Sequence, residues 1–221
     1  MNPPDGSRTE SRRPGPIVLS VNVGLAQEVK QGRDTVLTGI WKQPVSGPVA
    51  VRGVNLAGDD QADRKVHGGP DRAVYAYAME DYEFWAGAEK FTVSPGLFGE
   101  NLTVQGLDLA RAVIGERWRI GTALLEVTQP RIPCYKLGLR MGDPQFPKRF
   151  QAALRTGALF RIIEEGVLQA GDTIQIMERP THGVTVRLVA ESLTDHSKLR
   201  AILAAPQLPE SWRKYAQDKS Q

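Results

Sequence analysis

The chain has one cysteine, Cys134, and 3 histidines in 221 residues. A single thiol rules out an intramolecular disulfide framework and a multi-cysteine zinc cluster, and it fits a reducing cytosol. His67, His182 and His196 are scattered without metal-ligand spacing, which argues against a zinc enzyme. No apolar run approaches the roughly 18 residues that a membrane-crossing helix requires. Residues 1–16 are rich in Pro, Gly, Ser and Arg and have no apolar core, so they read as a disordered tail and not as a secretory signal. Charge of one sign is also lacking. Lys and Arg number 28 against 25 acids, and the cations form no stripe of the kind a nucleic-acid surface needs. There is no Walker A loop, no G-x-G-x-x-G turn between strand and helix and no G-x-S-x-G elbow. Flavin, haem and iron–sulfur motifs are missing too, as is any internal repeat.

Glycine is abundant instead, at 22 residues, and recurs at short intervals from Gly24 to Gly171. That spacing predicts many short strands and tight turns. Strands are expected over residues 17–23, 38–41, 49–51, 73–77, 102–104, 117–120, 123–127, 158–163 and 173–177. The stretch 44–48 has hairpin chemistry. Helices are expected over 79–90 and 146–154, where apolar residues fall near helical spacing. Residues 55–72 are polar and glycine-rich, a long loop of the kind that often carries function. After Arg179-Pro180 the texture becomes helical, with Leu188, Leu193, Leu199, Leu203 and Trp212 as apolar anchors. The expected organisation is a tail (1–16), a mostly β domain with some α (17–180) and a helical appendage (181–221) too small to fold alone.

Cys134 is the first chemical candidate. Pro130 and Pro133 stiffen the chain before it, and Arg131 and Lys136 flank it. Cations favour the thiolate, which is both nucleophile and metal ligand, whereas a lone cytosolic Cys is commonly just a small buried hydrophobe. His67, followed by Gly68 and Gly69, offers a hydrogen bond to an oxyanion or a proton near neutral pH, or it satisfies a turn. His182 and His196 read as structural. Asp59, Asp60, Asp63 and Asp71 read as solvated turn acids, since they do not follow the register of a calcium loop.

Several segments, in order, resemble the MOSC domain, named for the C-terminal domain of molybdenum cofactor sulfurase. They are Leu19-Ser20-Val21-Asn22-Val23-Gly24, Thr38-Gly39-Ile40-Trp41-Lys42, Gly58-Asp59-Asp60-Gln61-Ala62-Asp63 and Lys65-Val66-His67-Gly68-Gly69-Pro70-Asp71-Arg72-Ala73-Val74. Pro95-Gly96-Leu97-Phe98-Gly99-Glu100-Asn101-Leu102, Gln129-Pro130-Arg131-Ile132-Pro133-Cys134, Arg155-Thr156-Gly157, Phe160-Arg161-Ile162 and Gly171-Asp172 follow. The tail, 181–221, resembles the three-helix appendage of a stand-alone bacterial branch associated with resistance to hydroxylaminopurine-like bases. The resemblance implies a β-barrel of short strands and a cytoplasmic enzyme that binds the molybdenum cofactor, molybdopterin, with Cys134 on the metal.

On this resemblance the expected activity is reduction of N-hydroxylated bases or amidoxime-like compounds to amines, with electrons from a separate reductase. His67, Glu100 and Asn101 are candidates for orienting substrate or relaying protons. Lys65, Gly68, Gly69, Arg72, Arg131, Lys136 and Arg161 are candidates for holding the anionic cofactor. A different class of function is a sulfur or cofactor carrier, with Cys134 as persulfide or metal ligand and no reduction. A plain binding module with a structural Cys is a third. The partners expected are a small N-hydroxylated molecule and the electron donor, with no specific nucleic acid and no membrane. A homodimer is left open.

Overall fold

The computed structural model describes residues 15–62, 68–89 and 91–220. Thirteen strands and six α-helices run in the order β1 (Ile17–Val23), β2 (Gln27–Gln31), β3 (Asp34–Thr38), β4 (Gln43–Val45), β5 (Val49–Arg52), β6 (Asn55–Leu56), β7 (Val74–Ala78), α1 (Met79–Glu89), β8 (Leu102–Gln105), β9 (Arg117–Ile120), β10 (Ala123–Pro130), α2 (Tyr135–Met141), α3 (Phe146–Ala152), β11 (Ala158–Glu164), β12 (Gly166–Leu168), β13 (Ile174–Glu178), α4 (Val186–Glu191), α5 (Leu199–Ile202) and α6 (Glu210–Lys219). None of the described helices is long and apolar enough to cross a membrane.

Eight strands form one sheet in the order β13-β9-β10-β11-β7-β8-β1-β4. Its pairings are antiparallel except β7 with β8, which run parallel because α1 carries the chain back between them. The barrel expected from the resemblance is not a fully closed ladder, since the pairing ends at β13 and β4. The sheet nonetheless curls back on itself. Val18 N–H donates to Asp172 O at 2.9 Å, Gly171 N–H to Val18 O at 2.8 Å and Ile174 N–H to Pro16 O at 2.8 Å, tying the approach to β13 onto β1.

The strand pair expected of 38–41 and 49–51 around a turn at 44–48 does not form: Thr38 ends β3, residues 39–42 are in no strand, and β4 occupies the start of the expected turn. β4 pairs with β1, Val21 opposite Val45, while β5 pairs with β12 and β6. Between them Gly47 adopts φ 78°, a left-handed turn that suits glycine and sends the chain from one sheet to another. The β2–β3 hairpin was not legible in the sequence, because both its faces are largely exposed and it lacks an apolar side.

Strand β7 explains the two cores. Its alternate residues face opposite sides. Val74, Ala76 and Ala78 join a mainly aliphatic core with Val18, Val21, Leu102, Leu125 and Phe160. Tyr75 and Tyr77 join a second, aromatic core with Tyr82, Trp85, Phe98, Phe146 and Phe150, under α1, α2 and α3. The appendage is continuous with the first core: Val186, Val189, Leu199, Ile202 and Trp212 are buried in it. Thr185 caps α4 by accepting from Leu188 N–H at 3.1 Å.

Candidate functional site

A cavity of about 490 Å³ opens where β10 ends, between the loops at 38–42 and 59–62 and the appendage. That volume lies in the usual range for a small-molecule site, roughly 300–1,000 Å³. The Gly39 Cα makes close packing of the two loops feasible, since a Cβ there would sit 2.6 Å from Asp60 O.

Cys134 lines the cavity and is a free, half-buried thiol. It directly precedes α2, in extended conformation at φ −119° and ψ 175°, and its side chain makes no cap hydrogen bond. Prolines at 130 and 133 hold the approach to it straight and take two N–H donors out of this stretch of wall. Arg131 lines the same wall. Its guanidinium lies 5.6 Å from the Tyr75 ring centroid and 5.5 Å from that of Phe150. Its Nη1 is buried and has no hydrogen-bond partner among the described residues. A buried guanidinium nitrogen without an acceptor is costly, so this atom is a natural place for a ligand oxygen.

The facing loops carry a different arrangement, which the sequence reading missed. Lys42 and Asp59 both line the cavity and form a buried ion pair, their side chains only 8% and 3% exposed. Asp59 Oδ1 accepts from Lys42 Nζ and, at 2.9 Å, from Gly24 N–H, while Oδ2 accepts from Asn101 Nδ2 at 2.9 Å. Burial lowers the Lys42 pKa from its ordinary value, and Asp59 opposes that shift. Asp59 is therefore no solvated turn acid. Its signal in the sequence was weak, because an acid in a Gly-Asp-Asp-Gln turn reads the same whether exposed or paired.

Other candidates fall in and out of the cavity. Asn101 lines it, but both ends of its amide are engaged: Oδ1 accepts from Tyr75 N–H at 3.1 Å and Nδ2 donates to Asp59. Arg72 and Lys136 line it too, and Lys136 Nζ donates to Leu37 O at 2.9 Å. Glu100 is fully buried outside the cavity lining. Its carboxylate accepts from Tyr82 OH at 2.7 Å, Gly96 N–H at 2.6 Å, Thr103 Oγ1 at 2.8 Å and Phe98 N–H at 3.2 Å. Burial pushes its pKa up, and those donors pull against the shift.

Arg161 does not line the cavity; it pairs with Asp71 at 2.9 Å and Glu126 at 3.5 Å and donates to Gln207 O at 2.8 Å. Gly68 and Gly69 are outside the lining as well, and Gly69 N–H donates to Gln61 Oε1 at 3.0 Å. Lys65 and His67 lie outside the described residues. Residues that sequence reasoning passed over include Gln129, Trp212 and Tyr215, the last two from the appendage.

The cofactor implied by the resemblance fits the residues present. A pterin dithiolene with a terminal phosphate is anionic and brings sulfur ligands to its metal. The cavity offers a soft thiol at Cys134 and an unpartnered guanidinium nitrogen at Arg131. Among the described residues no group of three or more His, Cys, Asp and Glu is placed to hold a metal by itself.

Comparisons with known proteins show the family. The family model described as the MOSC domain matches residues 63–175. YflK of Bacillus subtilis is 37% identical over 203 residues, covering 89% of this chain and 90% of that protein. A protein of Gibberella moniliformis named "Reductase" is 34% identical over 172 residues, covering 76% of this chain and 30% of that protein. The crystal structure of YiiM from Geobacillus stearothermophilus superposes with a TM-score of 0.76 at 29% identity, covering 93% of this chain and all of that one. MOSC domains are associated with the molybdenum cofactor, and this chain belongs to the MOSC domain family.

Proposed function

We propose that the cavity binds the molybdenum cofactor, with Cys134 as the protein's ligand to the metal, and that the protein reduces N-hydroxylated compounds to amines. The observation that carries this reading is one thiol and one unpartnered buried guanidinium nitrogen in the same wall of a ligand-sized cavity. The name "Reductase" of the Gibberella relative points the same way. When bound, the cofactor would supply a metal centre able to take up an oxygen atom and pass two electrons. The overall change is R–NHOH plus two electrons and two protons to R–NH2 plus water, with the electrons coming from a separate donor protein.

The chain's own residues contribute binding and position. Arg131, planar and always charged, suits an oxygen of the phosphate or of the pterin. Its stacking over Tyr75 and Phe150 holds the guanidinium plane in place before any ligand arrives. Asn101 bridges Asp59 to the backbone of β7 and so fixes one loop of the cavity against the strand beneath it. With both amide ends engaged, it serves as a brace and not as a proton relay. Glu100 acts one step further back, holding the 96–98 turn and Thr103.

The test is reduction of hydroxylaminopurine by the purified full chain, with a reduced viologen dye as electron source and adenine as the product measured. The wild type should turn over, and Cys134→Ser should not, because a hydroxyl is a harder and much less acidic ligand than a thiol. Full activity in Cys134→Ser would overturn the reading. An inactive, cofactor-free chain carrying a persulfide on Cys134 would support the carrier role in its place.

A further inference from the structure

Two hydrogen-bond routes run from the helical appendage to one turn beside the cavity, and both end at Asp71. Asp71 lies in the short 3-10 turn Pro70–Arg72 and does not line the cavity; its neighbour Arg72 does. On the first route Arg161, in β11, uses one nitrogen twice: Nη2 donates to Gln207 O at 2.8 Å and pairs with Asp71 Oδ1 at 2.9 Å. On the second, Trp212 Nε1–H donates to Gln129 Oε1 at 2.7 Å, and Gln129 Nε2 donates to Asp71 O at 3.3 Å. Thr128 Oγ1 donates to the same carbonyl at 2.7 Å. Arg161 is itself steadied by Glu126, which stands opposite it on β10. Gln61 ties the rest of the turn: its Nε2 donates to Arg72 O at 3.1 Å and its Oε1 accepts from Gly69 N–H at 3.0 Å. Gln207 and Trp212 lie beyond the residues that match the MOSC family model.

We infer that Arg161 and Asp71 are positioning residues: backed by the appendage, they hold the 69–72 turn so that Arg72 meets the bound cofactor from a fixed mount. The inference rests on the cofactor-binding reading and adds to it a support outside the cavity. The physical reason is entropic. An Arg side chain is rich in rotamers, and a mobile turn beneath it would add backbone freedom that binding must remove. A turn pinned beforehand has already lost that freedom, at the expense of folding and not of binding. Arg161 and Asp71 touch no ligand on this account. They act on affinity only through Arg72, so their effect vanishes when the Arg72 side chain is gone.

The experiment is anaerobic titration of the cofactor-free full chain with released molybdenum cofactor, bound metal being read by elemental mass spectrometry. Hydrogen exchange across residues 68–74 is followed in the same cofactor-free proteins. Arg72→Ala should weaken binding by about ten- to a hundredfold, the worth of one charge-assisted hydrogen bond. Asp71→Ala and Arg161→Gln should each weaken it by about two- to thirtyfold, the range of coupling carried through a packed network. In both, the Gly69 and Arg72 amides should exchange faster. Asp71→Asn, whose amide oxygen still accepts from Arg161, should recover part of the loss. Trp212→Phe, which frees Gln129 Oε1, should speed the same amides by a smaller factor. The double variants decide: Asp71→Ala and Arg161→Gln should add nothing to the loss already present in Arg72→Ala. A merely structural role predicts additive losses instead, and these would overturn the inference, as would unchanged binding in Asp71→Ala. Asp71→Ala leaves the Arg161–Glu126 pair in place, so it carries the test where Arg161→Gln does not fold. A wild type that takes up no cofactor sinks the cofactor reading, and unchanged exchange in Asp71→Ala would then overturn the pinned turn as well. A wild type that takes it up, with Asp71→Ala indistinguishable from it, sinks only this inference.

Discussion

Two polar walls of the same cavity differ in how far their hydrogen-bonding capacity is spent. On the Asp59 side both carboxylate oxygens are taken, by Lys42, Gly24 and Asn101. On the Arg131 side a buried guanidinium nitrogen has no partner, and the neighbouring thiol makes no cap contact. The first wall is finished without a ligand and the second is not. Saturated buried networks hold a shape, whereas an unspent buried donor in a cavity wall is open to a ligand's acceptor. On the proposed reading, the Asp59 side holds the shape of the cavity and the Arg131–Cys134 side binds the cofactor.

The sharpest way to break that contrast is to remove Asp59. Asp59→Ala leaves Lys42 buried without its counter-ion and strips acceptors from Gly24 N–H and Asn101 Nδ2. Losing one partner of a buried ion pair costs about 3–5 kcal/mol, so urea denaturation of the cofactor-free protein should show a loss of that order. A change below about 1 kcal/mol would show that this wall is not the brace described, since that is the ordinary effect of an arbitrary substitution.

Arg131 should behave in the opposite way. Arg131→Ala should lower cofactor affinity by about ten- to a hundredfold, the worth of one charge-assisted hydrogen bond. Stability of the cofactor-free protein should fall by only about 1 kcal/mol, from the lost cation–π contacts with Tyr75 and Phe150. Arg131→Lys, which keeps the charge but not the planar fork, should bind with intermediate affinity. Binding assays and melting curves on the same samples check both halves. Unfolding of the empty protein with affinity intact in the folded fraction would make Arg131 a brace as well, and the contrast would vanish.

The smallest effect is expected at Lys136. It lines the cavity, but its ammonium is already engaged with the Leu37 carbonyl on the exposed β3. Lys136→Ala should change stability by less than about 0.5 kcal/mol and affinity by less than Arg131→Ala does. Differential scanning calorimetry and the same binding assay would reveal any larger role.

The contrast also explains what the sequence could disclose. Cys134 and Arg131 were legible because a Pro-Arg-x-Pro-Cys stretch constrains backbone and chemistry in five adjacent residues. The helices over 79–90 and 146–154 were legible too, as α1 and α3, from apolar spacing. The Asp59 wall was not, because its members come from Gly24, Lys42, Asp59 and Asn101, and only the fold brings them together. Glu100 and Arg161 lie in segments that match the family, yet their side chains turn to buried donors and to Asp71 and Glu126. Proximity in sequence to a site does not say which way a side chain faces. The leucines of the appendage predict helix, but nothing in that pattern says that Trp212 and Tyr215 reach the cavity. Helix α2 is hidden in the sequence because it carries Gly138, a poor helix former, in its middle, whereas the equally short α3 has none.

The central claim is that the Cys134 wall receives a molybdenum-bearing ligand. It is tested most directly by the molybdenum-to-protein ratio, measured by elemental mass spectrometry on wild type and Cys134→Ser expressed and purified side by side. The account predicts near-stoichiometric metal in the wild type and a strong loss in Cys134→Ser, with matching melting temperatures for the two cofactor-free proteins. Equal molybdenum in both would contradict it, as would a wild type that holds none after expression in a host that makes the cofactor.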